Sequence, residues 1–216
     1  VVPVGIGHPI DPDRCDLIFF GGGQDKEQLI VAEDLRTVQA STIRQYVESG
    51  GVLLSICGGY QLLGRYFRTH NGETLQGVEL FDSWTEAGEK RYIGNAVIEC
   101  DFTGSRRTLV GFENHSGRTY LGPGCRPMGK NIHGFGNNGK DGMEGAIYRN
   151  AFGCYLHGAL LPKNPWFTDY LILTALRRRY GDSLQLAPID DTLENQAHEA
   201  VIARIKKLGK IDSGVV

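Results

Sequence analysis

One stretch constrains this chain more than any other: Val52-Leu53-Leu54-Ser55-Ile56-Cys57-Gly58-Gly59-Tyr60-Gln61-Leu62-Leu63-Gly64. An apolar run of strand length ends at a cysteine, and two glycines lead into a helical pattern. A side chain on so sharp a strand-to-helix turn stands clear of the backbone. The glycines admit a ligand, and the helix start aims N–H groups at the sulfur, which favours thiolate over thiol. The competing reading is a buried strand cysteine, packed as a small apolar residue.

The surrounding pattern sets that turn in an α/β fold. Residues 16–20 (Asp-Leu-Ile-Phe-Phe) read as a short strand stopped by Gly21-Gly22-Gly23, and a helical pattern from about Gln24 to Glu48 closes at Gly50-Gly51. Val52 to Ile56 is the second strand, and Gly58 to Arg68 reads as the next helix. Strand and helix alternating in this way imply a parallel sheet with right-handed crossovers. Residues 92–100, 108–112, 144–148 and 153–156 read as strands without intervening helices, a smaller β extension of the sheet. A helix is expected from Asn164 to about Tyr180, with Pro165 in its first turn and Trp166, Tyr170, Leu173 and Leu176 near one face. A last helix, from about Thr192 to Leu208, offers Ala197, Val201, Ile202 and Ile205 for packing, and the tail 209–216 is expected to fray.

With 216 residues, 41% of them hydrophobic, the chain reads as one domain with a full core. A formal charge of −2 with scattered basic residues points to neither nucleic acid nor a membrane surface; Arg177-Arg178-Arg179 reads as a solvated helix end. No apolar run reaches the ~20 residues needed to span a bilayer, and no signal peptide opens the chain, so a cytoplasmic location is expected. Five cysteines without a C-x-x-C pair suggest neither a disulfide framework nor a zinc site, and no metal site is expected.

A nucleophilic cysteine needs a base. His157 ends the strand Gly153-Cys154-Tyr155-Leu156 and is followed by Gly158, which sets its ring at the carboxyl edge of the sheet, where open α/β folds bind ligands. His115, in Gly111-Phe112-Glu113-Asn114-His115-Ser116-Gly117-Arg118-Thr119, also follows a strand and is the rival. Either could instead be structural. Gly21-Gly22-Gly23 can present bare N–H groups; Gly22 and Gly23, with the N–H of Gly58, are candidates for an oxyanion hole. A phosphate cradle is the usual competitor, but this loop lacks the lysine and hydroxyl residue of a P-loop. A purely structural turn remains open.

Ser55 to Gly64, Gly111-Phe112-Glu113-Asn114-His115 and Tyr155-Leu156-His157-Gly158 together resemble the class I glutamine amidotransferases of the cobyric acid synthase branch. Phe20 to Gln28, Gly134-Phe135-Gly136-Asn137-Asn138 and Leu156 to Asn164 narrow the resemblance to the GatD family, the glutaminase subunits of lipid II isoglutaminyl synthases. The resemblance implies a flavodoxin-like fold and L-glutamine as substrate. In it, Cys57 attacks the side-chain amide and His157 passes the thiol proton to leaving ammonia. Arg91 falls where the family places an arginine for the substrate carboxylate, with a solvent-facing strand arginine as the alternative. Gln61, Asn114 and His115, inside the matching motifs, are placed among the substrate contacts.

The resemblance also implies a heterodimer. Its partner is a MurT-type ligase of the Mur class, which holds ATP and Mg and amidates the D-glutamate α-carboxyl of lipid II; this subunit itself is expected to carry no cofactor. Two departures stand out. Where the wider superfamily carries a glutamate two residues after the histidine, this chain has Ala159, so the expectation is a dyad or a carboxylate from the partner. The family also begins with a further strand and helix, whereas this chain opens at Val1-Val2-Pro3-Val4, which is read as a missing N-terminal unit. The alternative functions are an amidase subunit for a corrinoid carboxylate, a stand-alone γ-glutamyl hydrolase, and a binding subunit with an incidental cysteine.

Overall fold

The structure, a computed structural model, describes residues 1–23 and 25–208, with side chains of 25–27 left aside. Gln24, expected to open the first helix, and the tail 209–216 lie outside the described residues. The expected β-α-β start is present. Strand β1 (Leu17–Phe20) leads into α1 (Asp25–Asp34), a π-helical turn (Leu35–Gln39) and α2 (Ala40–Glu48), one continuous helical run that returns to β2 (Val52–Ile56). Cys57 then separates β2 from α3 (Gly58–Leu62). Strand β1 pairs in parallel with β2, and β2 pairs in parallel on its other side with β10 (Ala151–Cys154). Strand β9 (Ala146–Tyr148) closes this sheet antiparallel, in the order β1-β2-β10-β9.

The composition of β2 explains its central place. All five residues are buried, and their side chains alternate between two apolar layers. Leu53 joins Ile18, Leu35, Ile43 and Val47 beneath α1 and α2, whereas Val52, Leu54 and Ile56 join Phe152, Phe167 and Leu171 on the other face. Each fully buried aliphatic side chain contributes ~1.5–3 kcal/mol, so this strand is a rigid base for whatever follows it. The opposite face is covered by α4 (Pro165–Tyr180) through Phe167, Leu171 and Ala175. That face is turned from the expected one; Trp166 and Tyr170 pack at its margin. The arginines at the end of α4 are more than a solvated tip: Arg178 donates to the backbone oxygen of Ser49, and Arg179 pairs with Asp16 at 2.7 Å.

The middle of the chain builds more than a small extension. Strands β3 (Tyr66–Arg68), β4 (Thr74–Gln76), β5 (Ser83–Cys100), β6 (Arg107–Leu121), β7 (Gly129–His133) and β8 (Met143–Glu144) form a second sheet of six. The helix expected over 58–68 therefore ends at Leu62, where the chain turns to pair β3 with β4 and β5. The single strand expected over 144–148 is split by Gly145, whose φ of +67° sends β8 to one sheet and β9 to the other. Helix α5 (Thr192–Lys207) lays Ile202 and Ile205 on Val97 of β5 and Val110 of β6. No helix among the described residues is long and apolar enough to cross a membrane.

Glu144 sits at the division of the sheets and is fully buried. Its Oε1 accepts the backbone N–H of Tyr155 at 2.5 Å, while Oε2 has no partner among the described residues. Burial pushes this carboxyl up to about 8, far above the ~4.3 of an unfolded glutamate. Between those values the folded chain holds a proton that the unfolded chain has released, so stability falls as pH rises through that window. Glu144→Gln should keep the acceptor for Tyr155 and remove the slope. At pH 8 the variant should melt several degrees above the parent, because each pH unit between the two values carries ~1.4 kcal/mol and ~1 kcal/mol moves a domain of this size by about 2–4 °C. By about pH 4 the gap should close; thermal denaturation at the two pH values checks this.

Candidate active site

The elbow is real, and it is strained. Cys57 has φ +52° and ψ −110°, a conformation that costs a non-glycine residue of order 1–3 kcal/mol. Three features hold it there. The buried strand β2 precedes it, its N–H donates to the Cys154 carbonyl at 2.9 Å, and its own carbonyl accepts from the Gln61 N–H at 2.9 Å. The two following positions have no room for a side chain. A Cβ on Gly58 would stand 2.7 Å from Gln28 Nε2 and 3.2 Å from the Gly23 nitrogen, and one on Gly59 would stand 2.7 Å from the carbonyl oxygens of both Phe20 and Gly21.

Those contacts show what lies across the elbow: the glycine turn after β1. Residues 21–23 leave the carboxyl end of β1 as Cys57 leaves that of β2, and the backbones meet with no side chain between them. Gly22, Gly23 and Gly58, the candidates for an oxyanion hole, are thus gathered beside Cys57, with the Gly23 nitrogen against Gly58. A recess of about 70 Å³ lies behind them, lined by Phe20, Gln28, Val31 and Leu62 among others. A larger cleft, about 370 Å³, is bordered by Arg44, Glu48, Arg65 and Asp82 among others and shares no residue with this site.

His157 comes to the same edge from β10. Cys57 Cβ and His157 Cε1 lie 3.3 and 3.6 Å from the point that a Cβ on Gly22 would occupy, so thiol and imidazole flank one glycine. The backbone of His157 is bridged to Phe112 of β6 by reciprocal bonds of 2.8 and 3.1 Å. Among the described residues its Nε2 is shielded from solvent and has no partner, and no carboxylate is bonded to the ring. Burial first, and then the Arg91 charge, hold this imidazole below the usual histidine range. A histidine kept neutral at neutral pH can take a proton from a thiol.

The second sheet supplies the other wall. Between Ala87 and Tyr92 the β5–β6 register slips, and the extra residues on β5 carry Arg91 out of the ladder. Arg91 is exposed, and its Nη1 donates to Asn114 Oδ1 at 3.0 Å, so Asn114 steadies the guanidinium. His115 lies deeper and is buried; its ring stacks on Tyr155 with centroids 3.6 Å apart. Gln61, expected among substrate contacts, has both ends of its amide engaged inside the protein. Its Oε1 accepts from Gln28 Nε2 and its Nε2 donates to Tyr155 Oη, each at 3.1 Å. Gln61 therefore braces the site from below.

Tyr155, Gln28 and Glu113 belong to this assembly and were not singled out by the sequence. Tyr155 Oη also bonds Thr119 Oγ1 at 2.6 Å. The buried Glu113 carboxylate accepts N–H groups of Phe135 and Gly136, which fixes the loop beside Tyr92. A signal for Glu113 did exist: strand alternation puts it on the same face as His115, where a charge is costly unless bonded. The whole arrangement joins a thiol on an elbow, a neutral imidazole, converging N–H donors and an arginine for a carboxylate. Such a set has the parts that acyl transfer from an amide or ester through a thioester would need.

Comparison with known proteins agrees with this chemistry. Residues 6–165 match the CobB/CobQ-like glutamine amidotransferase domain. The chain is 40% identical to the lipid II isoglutaminyl synthase (glutamine-hydrolyzing) subunit GatD of Staphylococcus aureus (strain N315), over 97% of this chain and 84% of that protein. It is 39% identical to the subunit of the same name from Streptococcus pneumoniae (strain ATCC BAA-255 / R6), over 91% of this chain and 75% of that one. A probable cobyric acid synthase of Methanocaldococcus jannaschii is 30% identical over 65% of this chain, which spans only 30% of that protein. Among solved structures, a glutamine amidotransferase shares the fold, with a TM-score of 0.51 at 15% identity over 74% of this chain and 79% of that one.

The elbow makes a direct prediction. A methyl group on Gly59 would meet two backbone oxygens at 2.7 Å, which cannot rotate away. Gly59→Ala should cost ~1–3 kcal/mol as overpacking and lower the melting temperature accordingly. Gly5→Ala, whose nearest neighbour would be a side-chain nitrogen at 3.8 Å, should leave it unmoved.

Proposed function

The chain belongs to the CobB/CobQ-like glutamine amidotransferase family, and on that footing we propose that it is the glutamine-hydrolysing subunit of a lipid II isoglutaminyl synthase. The observation that carries the chemistry is Cys57 held at positive φ with the His157 ring across Gly22 from it. The acceptor rests on reach. The relatives named isoglutaminyl synthase subunits match nearly the whole chain, whereas the matching cobyric acid synthases cover little beyond the amidotransferase core and are much longer proteins.

In this reading the α-carboxylate of L-glutamine lies against Arg91, which Asn114 steadies, and the side-chain amide points at Cys57. His157 accepts the thiol proton as sulfur attacks the amide carbon, and the N–H groups of Gly23 and Gly58 receive the developing oxyanion. The C–N bond breaks as His157 returns that proton to the leaving nitrogen, giving ammonia and a thioester. Water, deprotonated by the same imidazole, cleaves the thioester to glutamate and free thiol. Ammonia passes to a MurT-type ligase that activates the D-glutamate α-carboxyl of lipid II with ATP and Mg, on the cytoplasmic side of the membrane. Ala159, at φ +59°, occupies the place of the superfamily's orienting glutamate. The partner's carboxylate takes over that task and ties hydrolysis to assembly.

Three outcomes test the reading. A glutamine-mimicking diazoketone should leave covalent mass on Cys57, and Cys57→Ala should abolish glutamine-fed amidation of lipid II while added ammonium salt restores it. The isolated chain should hydrolyse glutamine more slowly than the complex; equal rates would remove the partner's orienting role. Because His157 is depressed by burial and by Arg91, the acid limb of kcat/KM should fall below the ordinary histidine value of ~6.5. Arg91→Gln should move that limb upward and raise KM for glutamine tenfold or more, the ~1.5–3 kcal/mol of a hydrogen bond to a charged group.

A further inference from the structure

His115 is a buried base that the reaction above leaves unused. Its residue is only 2% exposed, its face is stacked on Tyr155, and Tyr92 meets it edge to face at 5.6 Å. Its Nδ1 lies 2.9 Å from the Gly117 carbonyl oxygen. That oxygen can only accept, so the ring proton sits on Nδ1 and Nε2 carries a bare lone pair. This Nε2 is sealed from water and has no partner among the described residues. A buried acceptor left unmade costs about 1–3 kcal/mol, and such an exception in a folded protein calls for a ligand or a function.

The surroundings say which ligand. The charges set against a positive charge at His115 are those of Arg118 and Arg91, joined by His157 when that ring is protonated. Arg118 itself lies over the Tyr92 ring, 3.4 Å from its centroid. A cationic donor such as the α-ammonium of an amino acid is therefore repelled here, while a neutral N–H donor is not. One neutral N–H donor is produced at His157 in every turnover. The Nε2 of His157 is likewise shielded and has no partner among the described residues.

We propose that His115 Nε2 is the first acceptor for the ammonia that leaves the thioester step, holding it beside His157 as uncharged NH3. The proposal rests on the glutaminase reading. When the C–N bond breaks, the leaving nitrogen takes one proton from the His157 imidazolium and departs with three N–H bonds and one lone pair. His157 Nε2, having passed its proton on, becomes a second acceptor, and His115 is tied to the same segment because it stacks on Tyr155, two residues before His157. No proton moves to or from His115. Forming ammonium would need a proton that neither nitrogen then carries, and His115, held down to about 3 by burial, does not acquire one at neutral pH. The lone pair that must later attack an activated carboxylate is thereby preserved.

The test uses the assembled synthetase and counts amidated product per glutamate released. His115→Asn retains an N–H for the Gly117 carbonyl but has no acceptor reaching the place of Nε2. The ratio should fall about fivefold, the factor carried by one hydrogen bond of ordinary strength, with KM for glutamine held and ammonium salt restoring product. His115→Gln, which returns an acceptor oxygen at similar reach, should recover most of the ratio. A raised KM with the ratio intact would assign the nitrogen to the substrate ammonium instead, and an unchanged ratio and KM would make the ring structural; either overturns the proposal. Capture of Cys57 by the diazoketone in the same preparation reports on the glutaminase reading separately, and its failure would overturn both.

Discussion

The site depends on one close approach of backbone to backbone. The turn of residues 21–23 lies against Gly58 and Gly59 with no side chain between them, and this brings the backbones of two strand ends together beside a thiol. A methyl group at Gly59 would meet the carbonyl oxygens of Phe20 and Gly21 at 2.7 Å and part the two segments. The strained Cys57 backbone persists because its neighbours over-determine it: a fully buried β2 on one side, the Cys154 carbonyl on the other, and the first turn of α3 beyond. Rigidity below the elbow and openness above it come from the same sheet, whose parallel strands release β1, β2 and β10 at a common edge.

Burial then sets the electrostatics. His157 and His115 are both kept neutral, one half-buried at the edge and the other deep beneath it, and the nearby arginines push in the same direction. Neutral imidazole suits a base in the first case and an acceptor in the second. A chain of hydrogen bonds from Gln28 through Gln61, Tyr155 and Thr119 to Thr85 ties the helix after the elbow to the second sheet. Each member of that chain is buried and bonded to the next, so displacing one costs its neighbours their partners as well.

The loop after His157 is gripped twice by β6. The reciprocal Phe112–His157 bonds hold its start, and at its end Asn164 both donates to the Val110 carbonyl and accepts the Val110 N–H, at 2.8 and 2.9 Å. His198 of α5 closes on the same asparagine and on Thr108. The family match ends at residue 165, so α5 belongs to the part of the chain shared with the isoglutaminyl synthase subunits rather than to the amidotransferase core. It is nonetheless bonded into the support of the loop that follows His157.

Local order made the first half of the site legible. An apolar run, a cysteine and two glycines can be read in sequence because strand burial, elbow and helix start are consecutive, and the cysteine fell where the pattern put it. Cys57, His157 and the glycines of the turn follow from such neighbours. The second sheet did not. Strands β3 and β4, three residues each, are too short for their periodicity to register, and the register slip that frees Arg91 exists only between two strands. That Gln61 points inward, that Glu113 and Glu144 are buried carboxyls, and that His115 keeps a bare nitrogen are facts of packing between segments far apart in the chain. Sequence determined which residues could do chemistry, because backbone conformation at glycine and cysteine is local; the tertiary structure alone decided which were neutral, braced or exposed, because desolvation and partnership are set by what folds on top.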